Sequence, residues 1–220
     1  MRSVFAILLA DMNKHIQLAI LYKQAVADVA LPLYGAANLV FGEGNPEGAV
    51  LFIGEAPGKN EDEQMRPFVG RSGKILTKWI ESIGWKREGV YITNIVKRRP
   101  PDNRDPLPIE ISAYAPYLKE QIEIINPKIV APLGRFSTNY FLPQTSISRD
   151  QGKIFWWNGR IVVPIFHPAA AMRNTARMRQ SEETFVKLKR VVLLYDTLVA
   201  LLRDRIHTNA LNVDDIFEQL

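Results

Sequence analysis

The sequence contains no cysteine among its 220 residues, and this absence excludes several classes of chemistry. Disulfides, a thiol nucleophile, cysteine-held zinc and cysteine-ligated iron–sulfur clusters are all ruled out. No apolar run approaches the ~18 residues that a transmembrane helix needs, so we expect no contact with a membrane. The apolar stretch over residues 4–10 has a single positive charge before it and no cleavage site after it. It predicts an ordinary helix start and, by default, a cytoplasmic protein.

Acidic residues are outnumbered by basic ones, 23 to 28, which gives a net charge of +5. This balance suits a polyanionic partner such as a nucleic acid, although many plain enzymes are equally basic. The hydrophobic share of 47% and the charged share of 23% are those of a globular protein. We expect one domain over residues 1–220, with a helical segment at 1–30 and a C-terminal tail at 206–220, of which residues 212–220 could dock a partner.

Four short segments predict buried strands, because they are rich in β-branched residues and almost continuously apolar. They lie at 49–54, 90–96, 129–133 and 160–166. Helical patterns lie around and between them, at 12–27, 72–83, 109–125 and 182–202. The alternation of strand and helix predicts an α/β fold with a mostly parallel sheet. Pro132 and Pro164 should lie at strand ends or bulges, because proline cannot donate to a strand ladder.

Polar or glycine-rich residues follow every predicted strand. A turn with two glycines starts at Gly54, Asn94 opens an arginine- and proline-rich loop, Gly134 begins the string GRFS, and His167 begins the string HPAAAMR. In open parallel sheets, ligands bind beyond the carboxyl ends of the strands. The sequence therefore predicts a site at this edge of the sheet.

The first two strings each allow two interpretations. Residues 54–62 (GEAPGKNED) form a turn whose amides can face an anion or a carbonyl, or an ordinary strand-to-helix turn with solvated acids. In residues 66–73 (RPFVGRSG), two glycines flank a predicted helix start that Ser72 could cap. The ring of Phe68 could stack on a flat base, or it could simply belong to the core.

The later strings are equally open when each is taken alone. The carboxamide of Asn94 matches the imide edge of uracil, or it satisfies a turn. The ring of His167 could donate to a developing oxyanion, or be structural. Met172 and Arg173 suit a wedge beside a cation, although Met172 could pack against the protein. The arginines of the loop at 98–108 could contact phosphates or be solvated.

Taken together, these strings resemble family 4 uracil-DNA glycosylases. Their order and approximate spacing agree from about residue 31 to 194, and residues 41–46 (FGEGNP) match as well. The resemblance implies a three-layer α/β/α sandwich around a four-stranded, mostly parallel sheet. It implies hydrolysis of the N-glycosidic bond of uracil in single- or double-stranded DNA by a monomer. The products would be free uracil and an abasic site, without strand cleavage.

The resemblance also implies roles for particular residues. Phe68 matches the aromatic residue that stacks on flipped uracil, and Asn94 matches the amide that reads its edge. Glu55 and His167 are the catalytic candidates, with Glu55 in the motif that positions water and His167 holding the carbonyl oxygen. The remaining candidates are Gly54 and Ala56 for uracil, Glu61 and Asp62 as supporting acids, and Arg71, Ser72, Arg99, Arg135, Ser137, Met172 and Arg173 for DNA.

One departure from the family is large. The family normally carries four cysteines that hold a 4Fe–4S cluster, and the aligned positions here are Asp28, Leu31, Arg98 and Tyr114. We therefore expect no metal and no cofactor, with Leu31 and Tyr114 filling the space and Asp28 pairing with Arg98. Two other functions stay open: a non-catalytic DNA-binding relative that lost activity with the cluster, and a small-molecule α/β enzyme such as a nucleoside hydrolase.

Overall fold

The computed structural model describes residues 13–202 and 211–220 and shows a seven-stranded sheet covered by helices. The strands are β1 (Glu43–Gly44), β2 (Val50–Gly54), β3 (Tyr91–Asn94), β4 (Ile129–Pro132), β5 (Phe155–Trp157), β6 (Arg160–Val162) and β7 (Leu211–Asn212). The described helices are α1 (Lys14–Ala27), α2 (Lys59–Gln64), α3 (Arg71–Ser82), α4 (Pro108–Ile125), α5 (Arg135–Phe141), α6 (Ile147–Asp150), α7 (Pro168–Ala171), α8 (Thr175–Leu193), α9 (Tyr195–Leu202) and α10 (Asp214–Phe217). The helix start predicted over residues 4–10 lies outside the described residues.

The strands lie in the order β1-β3-β2-β4-β6-β5-β7, and the four in the middle are parallel. These four are the predicted strands. The prediction of a four-stranded sheet was nevertheless incomplete, because β1, β5 and β7 extend it with antiparallel pairing. Strands of two or three residues are too short to show a period. The turn between β5 and β6 did carry a signal, since Asn158-Gly159 has positive φ at both residues, as a two-residue hairpin requires.

Side chains of the central strands point alternately into two cores, one on each face of the sheet. Phe52 of β2 stacks on Phe185 of α8, with ring centroids 5.5 Å apart, in the core that α3 and α9 complete. Leu51 and Ile53, its neighbours in β2, face the other core beneath α1 and α4. Helices therefore cover both faces, which confirms the α/β/α architecture.

Both prolines lie where the ladder ends. Pro132 is the last residue of β4, and Pro164 lies beyond the end of β6. The last predicted helix differs more, because α8 begins at Thr175, capped by the Asn174 side chain, and Leu194 separates it from α9. The polar first turns of α8 carry no apolar period, so the sequence pattern could not show them. Ser72 is not a helix cap either, because Gly70 occupies the cap position of α3.

The predicted C-terminal tail is part of the fold from residue 211 onward. Strand β7 pairs with β5, and Val213 and Phe217 are completely buried. The carboxylate of Asp214 accepts a hydrogen bond from the backbone N–H of Ile154 at 3.1 Å. The tail is therefore anchored to the sheet through residues 211–217, whereas Glu218, Gln219 and Leu220 are exposed. The single domain over residues 1–220 stays a prediction. No helix in the described part of the chain is long and apolar enough to span a membrane.

Candidate active site at the strand ends

A cavity of about 320 Å3 opens at the carboxyl ends of the parallel strands. The sequence-predicted residues Glu55, Phe68, Asn94 and His167, from four separate chain segments, all line it. The predicted residues Ala56, Glu61, Arg71 and Ser72 line it as well. Its walls are mixed in polarity and its size is that of a small-molecule site. The structure therefore brings these separate segments together at one cavity, and their roles there stay a prediction.

Gly54 allows the tightest approach in the site. It is the last residue of β2, and Asn94 is its register partner in β3. A Cβ atom at Gly54 would lie 2.5 Å from Cζ of Phe68 and closer still to Oδ1 of Asn94. Only a residue without a side chain leaves room for both groups, so the glycine sets the width of the slot.

Phe68 is held in an unusual backbone conformation, with φ at 51° and a side chain only 6% exposed. The carboxylate of Glu61 accepts hydrogen bonds from the backbone N–H groups of Val69 and Gly70, at 2.9 Å and 2.7 Å. This clamp fixes the segment immediately after the ring. The Phe68 ring lies 5.8 Å from the His167 ring, centroid to centroid. Glu61 thus supports the aromatic wall rather than acting as a free acid.

The carboxamide of Asn94 is 1% exposed, and within the described residues its Oδ1 atom has no hydrogen-bond partner. A buried acceptor left without a partner costs about 1–3 kcal/mol. Such a group is ready to pair with a ligand that offers an N–H. The sequence analysis predicts that Asn94 forms hydrogen bonds with the edge of the base, and its unpaired Oδ1 atom can do so.

His167 follows β6 and caps the short helix α7. Its Nδ1 atom accepts a hydrogen bond from the backbone N–H of Ala169 at 3.2 Å. Burial lowers the pKa of His167 to about 4, so the ring is neutral at pH 7. A neutral ring whose Nδ1 accepts must carry its proton on Nε2. The site therefore has one fixed imidazole donor. Gly134, with φ at 90°, gives this side chain room, because a Cβ there would lie 2.9 Å from Cβ of His167.

Glu55 lies between this cavity and a second one of about 480 Å3, and it lines both. Burial and the nearby carboxylate of Asp105 raise the pKa of Glu55 to about 7, and Arg135 opposes the rise. At neutral pH Glu55 is therefore a carboxylic acid in part of the molecules and a carboxylate in the rest. A carboxylate of this pKa can take a proton from water at physiological pH.

The second cavity is basic and adjoins the first. The side chains of Arg135, Arg173 and Arg177 line it, and Met172 beside it is 43% exposed. Arg135 forms an ion pair with Asp105. Arginines around the mouth of a pocket are suited to phosphate oxygens of a nucleic-acid backbone.

Three predicted site residues are placed differently. Ser137 is fully buried and its hydroxyl donates to the carbonyl of Gly134 at 3.2 Å, so it cannot reach DNA. Asp62 does not line the cavity but accepts a hydrogen bond from the N–H of Asn38 at 2.7 Å. Arg99 donates to Oδ1 of Asn103 at 2.8 Å within its own loop and lines neither cavity.

The sequence analysis missed several residues that line the first cavity. They are Lys59 and Asn60 from the start of α2, with Asn103 from the proline-rich loop, where Arg104, a predicted phosphate contact, lines the cavity as well. Asn103 has a φ of 55°, and asparagine tolerates this left-handed conformation better than most residues. The asparagine directly after Pro-Pro-Asp was a turn signal that could have placed it.

The residues at the four cysteine positions do not fit an iron–sulfur cluster. Tyr114 and Leu31 are buried in one core, as predicted, and the Tyr114 hydroxyl donates to the carbonyl of Pro32 at 2.7 Å. No thiolate is available. The predicted pair of Asp28 and Arg98 was wrong. Asp28 instead accepts from the Tyr117 hydroxyl at 2.8 Å.

Arg98 has a different partner from the predicted one. Its guanidinium lies 5.1 Å from the centroid of the Tyr34 ring and is held there as a buried cation over an aromatic face. One of its nitrogen atoms, Nη1, also donates to the carbonyl of Ala37 at 3.4 Å. Packing and hydrogen bonds of ordinary side chains thus occupy the region where the resemblance implies a cluster.

Comparison with known proteins shows the family to which the chain belongs. Residues 41–190 match the model of the uracil DNA glycosylase superfamily. A type-4 uracil-DNA glycosylase of Sulfurisphaera tokodaii is 47% identical over 71% of this chain and 76% of its own. One of Saccharolobus solfataricus is 49% identical over 69% and 75% of the two chains. One of Thermotoga maritima is 42% identical over 74% and 83%.

Proposed function

The chain belongs to the uracil-DNA glycosylase superfamily and, within it, to the type-4 enzymes, and from this premise we propose how its cavity acts. It excises uracil from DNA in DNA repair by hydrolysing the N-glycosidic bond. The observation that carries the proposal is the convergence of Phe68, Asn94 and His167 on one cavity beside Glu55. A non-catalytic relative is not favoured, because all four groups are present and poised.

Binding requires that uracil leave the base stack, which costs about a few kcal/mol. The ring of Phe68 then stacks on the extruded base. The amide of Asn94, whose Oδ1 has no partner among the described residues, accepts from the N3–H of uracil. Cytosine offers a bare nitrogen at that position, so pairing with Oδ1 fails. Phe68 and Asn94 together give affinity for a flat base and selectivity for uracil.

The chemical step breaks the bond between C1′ of the sugar and N1 of the base. The bonding electrons go to uracil, which leaves as an anion, and the sugar becomes oxocarbenium-like. The Nε2–H of His167 donates to the carbonyl oxygen that gains charge. Glu55 in its carboxylate form takes a proton from water, and the water oxygen bonds to C1′. The uracil anion then takes up a proton from solvent and Glu55 releases one to it, so that free uracil and an abasic site result.

The basic second cavity supports a proposal about the rest of the substrate. Arg135 and Arg173 would contact phosphates beside the extruded nucleotide. Because these contacts need only one strand, we expect activity on single- and double-stranded DNA. One chain supplies every wall of the first cavity, so a monomer is sufficient.

The experiment uses a uracil-containing oligonucleotide, which is incubated with the protein and then cleaved with hot alkali at abasic sites. We expect cleavage at uracil only after treatment with the protein, and none of free deoxyuridine. His167→Ala should lower the rate by about 10²–10³-fold, the usual loss for one preorganised donor. Asn94→Asp should weaken discrimination against cytosine. An intact oligonucleotide would refute the proposal, and hydrolysis of deoxyuridine alone would indicate a nucleoside hydrolase.

A further inference from the structure

Lys97 is completely buried directly behind the wall of the cavity. It lies three residues after Asn94, and its side chain folds back toward the end of β3. The Nζ atom donates to Oγ1 of Thr93 at 2.7 Å, to the main-chain carbonyl of Asn94 at 2.8 Å, and to Oε1 of Gln121. Among the described residues no carboxylate forms an ion pair with it. A buried ammonium without a counterion is costly and uncommon.

The hydrogen-bond network around Lys97 decides its charge. The Thr93 hydroxyl donates to the carbonyl of Phe41 at 2.7 Å, and Nε2 of Gln121 donates to the same oxygen at 3.0 Å. In this arrangement each of the three oxygens that faces Nζ accepts a hydrogen bond from it. Three acceptors need three N–H groups, which the ammonium has and the neutral amine lacks.

Two opposing effects act on the proton of Lys97. Burial lowers the pKa of Lys97 well below its ordinary value. The three hydrogen bonds from Nζ act in the opposite direction, because they stabilise the charged form. The ring of Phe41, whose centroid lies 5.8 Å from Nζ, adds a further favourable contact for a cation. The geometry of the network thus favours a resident positive charge behind Asn94.

We propose that the Lys97 ammonium is a positioning residue that stabilises the departing uracil anion through Asn94. This inference rests on the proposed function. The field of a buried cation is weakly screened, and the bond to the Asn94 carbonyl ties that charge to the residue that faces the base. The charge of Lys97 does not change during the reaction, whereas uracil becomes negative. The cation therefore favours the transition state over the bound substrate.

A purely structural role makes a different prediction. If Lys97 only holds the end of β3 in place, its loss disturbs the slot equally for every base that fits there. If its charge stabilises the anion, its loss matters less for a base that is a better leaving group. Fluorine at C5 is small and withdraws electrons, so 5-fluorouracil leaves more easily than uracil.

The test compares single-turnover excision of uracil and 5-fluorouracil from otherwise identical single-stranded oligonucleotides. Lys97→Met should slow uracil excision by about tenfold or more, and slow 5-fluorouracil excision at least threefold less. The ratio of the two rates does not depend on the fraction of folded protein. His167→Ala should change the ratio in the same direction. Leu118→Ala, in the core beneath α4, should leave the ratio unchanged.

Lys97→Gln provides a second variant in case the methionine variant does not fold, because an amide still donates to two of the acceptors without carrying charge. It should give the same change in the ratio. Equal losses on both bases in either variant would overturn the role of Lys97. A wild-type protein that excises neither base would refute the proposed function instead.

Discussion

Gly54→Ala tests the slot at its narrowest point with a single methyl group. The new Cβ would lie 2.5 Å from Cζ of Phe68, and still closer to Oδ1 of Asn94. Since ordinary van der Waals contact begins at 3.4 Å, both groups would have to retreat by about 1 Å. A displacement of that size typically lowers a catalysed rate by about 10²-fold. Overpacking should also destabilise the fold by about 1–3 kcal/mol.

The assay is single-turnover excision of uracil, measured beside thermal unfolding of the same preparation. Gly89→Ala is the matched control, because it adds the same methyl group where no atom lies within 4 Å and the residue is exposed. We expect the control to excise at the wild-type rate. The reasoning about the slot fails if Gly54→Ala excises uracil within threefold of wild type, or if both variants lose activity equally.

The remaining predictions concern Glu55, Arg173 and Tyr114. The pKa of Glu55 is raised from 4.5 to about 7, so the folded protein binds this proton more tightly, and stability is fullest below pH 4.5 and falls as pH rises toward 7. Glu55→Gln should therefore stabilise the protein by about 1–2 kcal/mol at pH 8 but not at pH 4.5, which denaturant melts at the two pH values check. The same variant should abolish any rise in excision rate between pH 6 and 8, which a pH–rate profile checks. Arg173→Ala should weaken DNA binding and reduce the slope of log affinity against log salt by about 1 in salt titrations, and an unchanged slope would place Arg173 away from phosphate. In denaturant melts, Tyr114→Ala should lower the free energy of unfolding by about 3–5 kcal/mol, but Tyr114→Phe by only about 1 kcal/mol. Similar losses in the two variants would show that the hydroxyl of Tyr114, rather than the packing of its ring, stabilises this region.

The central strands and the site could be predicted because both depend on local sequence. Continuous β-branched runs marked the four parallel strands, and parallel strands bring their ends to one edge. Asn94 and His167 could be predicted as site residues, because each comes at or just after the end of a predicted strand. The neutral state of His167 was also expected from the chemistry of an oxyanion donor.

The features that were missed depend on contacts distant in sequence. Strand β7 forms by pairing with the edge strand β5, and a strand of two residues is too short to show a sequence pattern that predicts this pairing. Ser137 seemed to be a DNA contact because it follows a strand end, but the first turn of α5 buries it. Arg98 seemed to be a partner for Asp28 by charge alone. The nearby ring of Tyr34, 64 positions earlier in the chain, took that place.

The region around the four cysteine positions, where Tyr34, Tyr114 and Tyr117 lie, has a practical consequence for how the protein is produced. Side chains of the polypeptide itself, rather than an added group, fill this region. We expect folding to need no iron or sulfide, because the sequence has no cysteine to hold a cluster, and for the same reason no thiol is present for peroxide to oxidise. Production in a host starved of iron, or purification in air, should therefore yield the same specific activity as anaerobic preparation from an iron-rich culture.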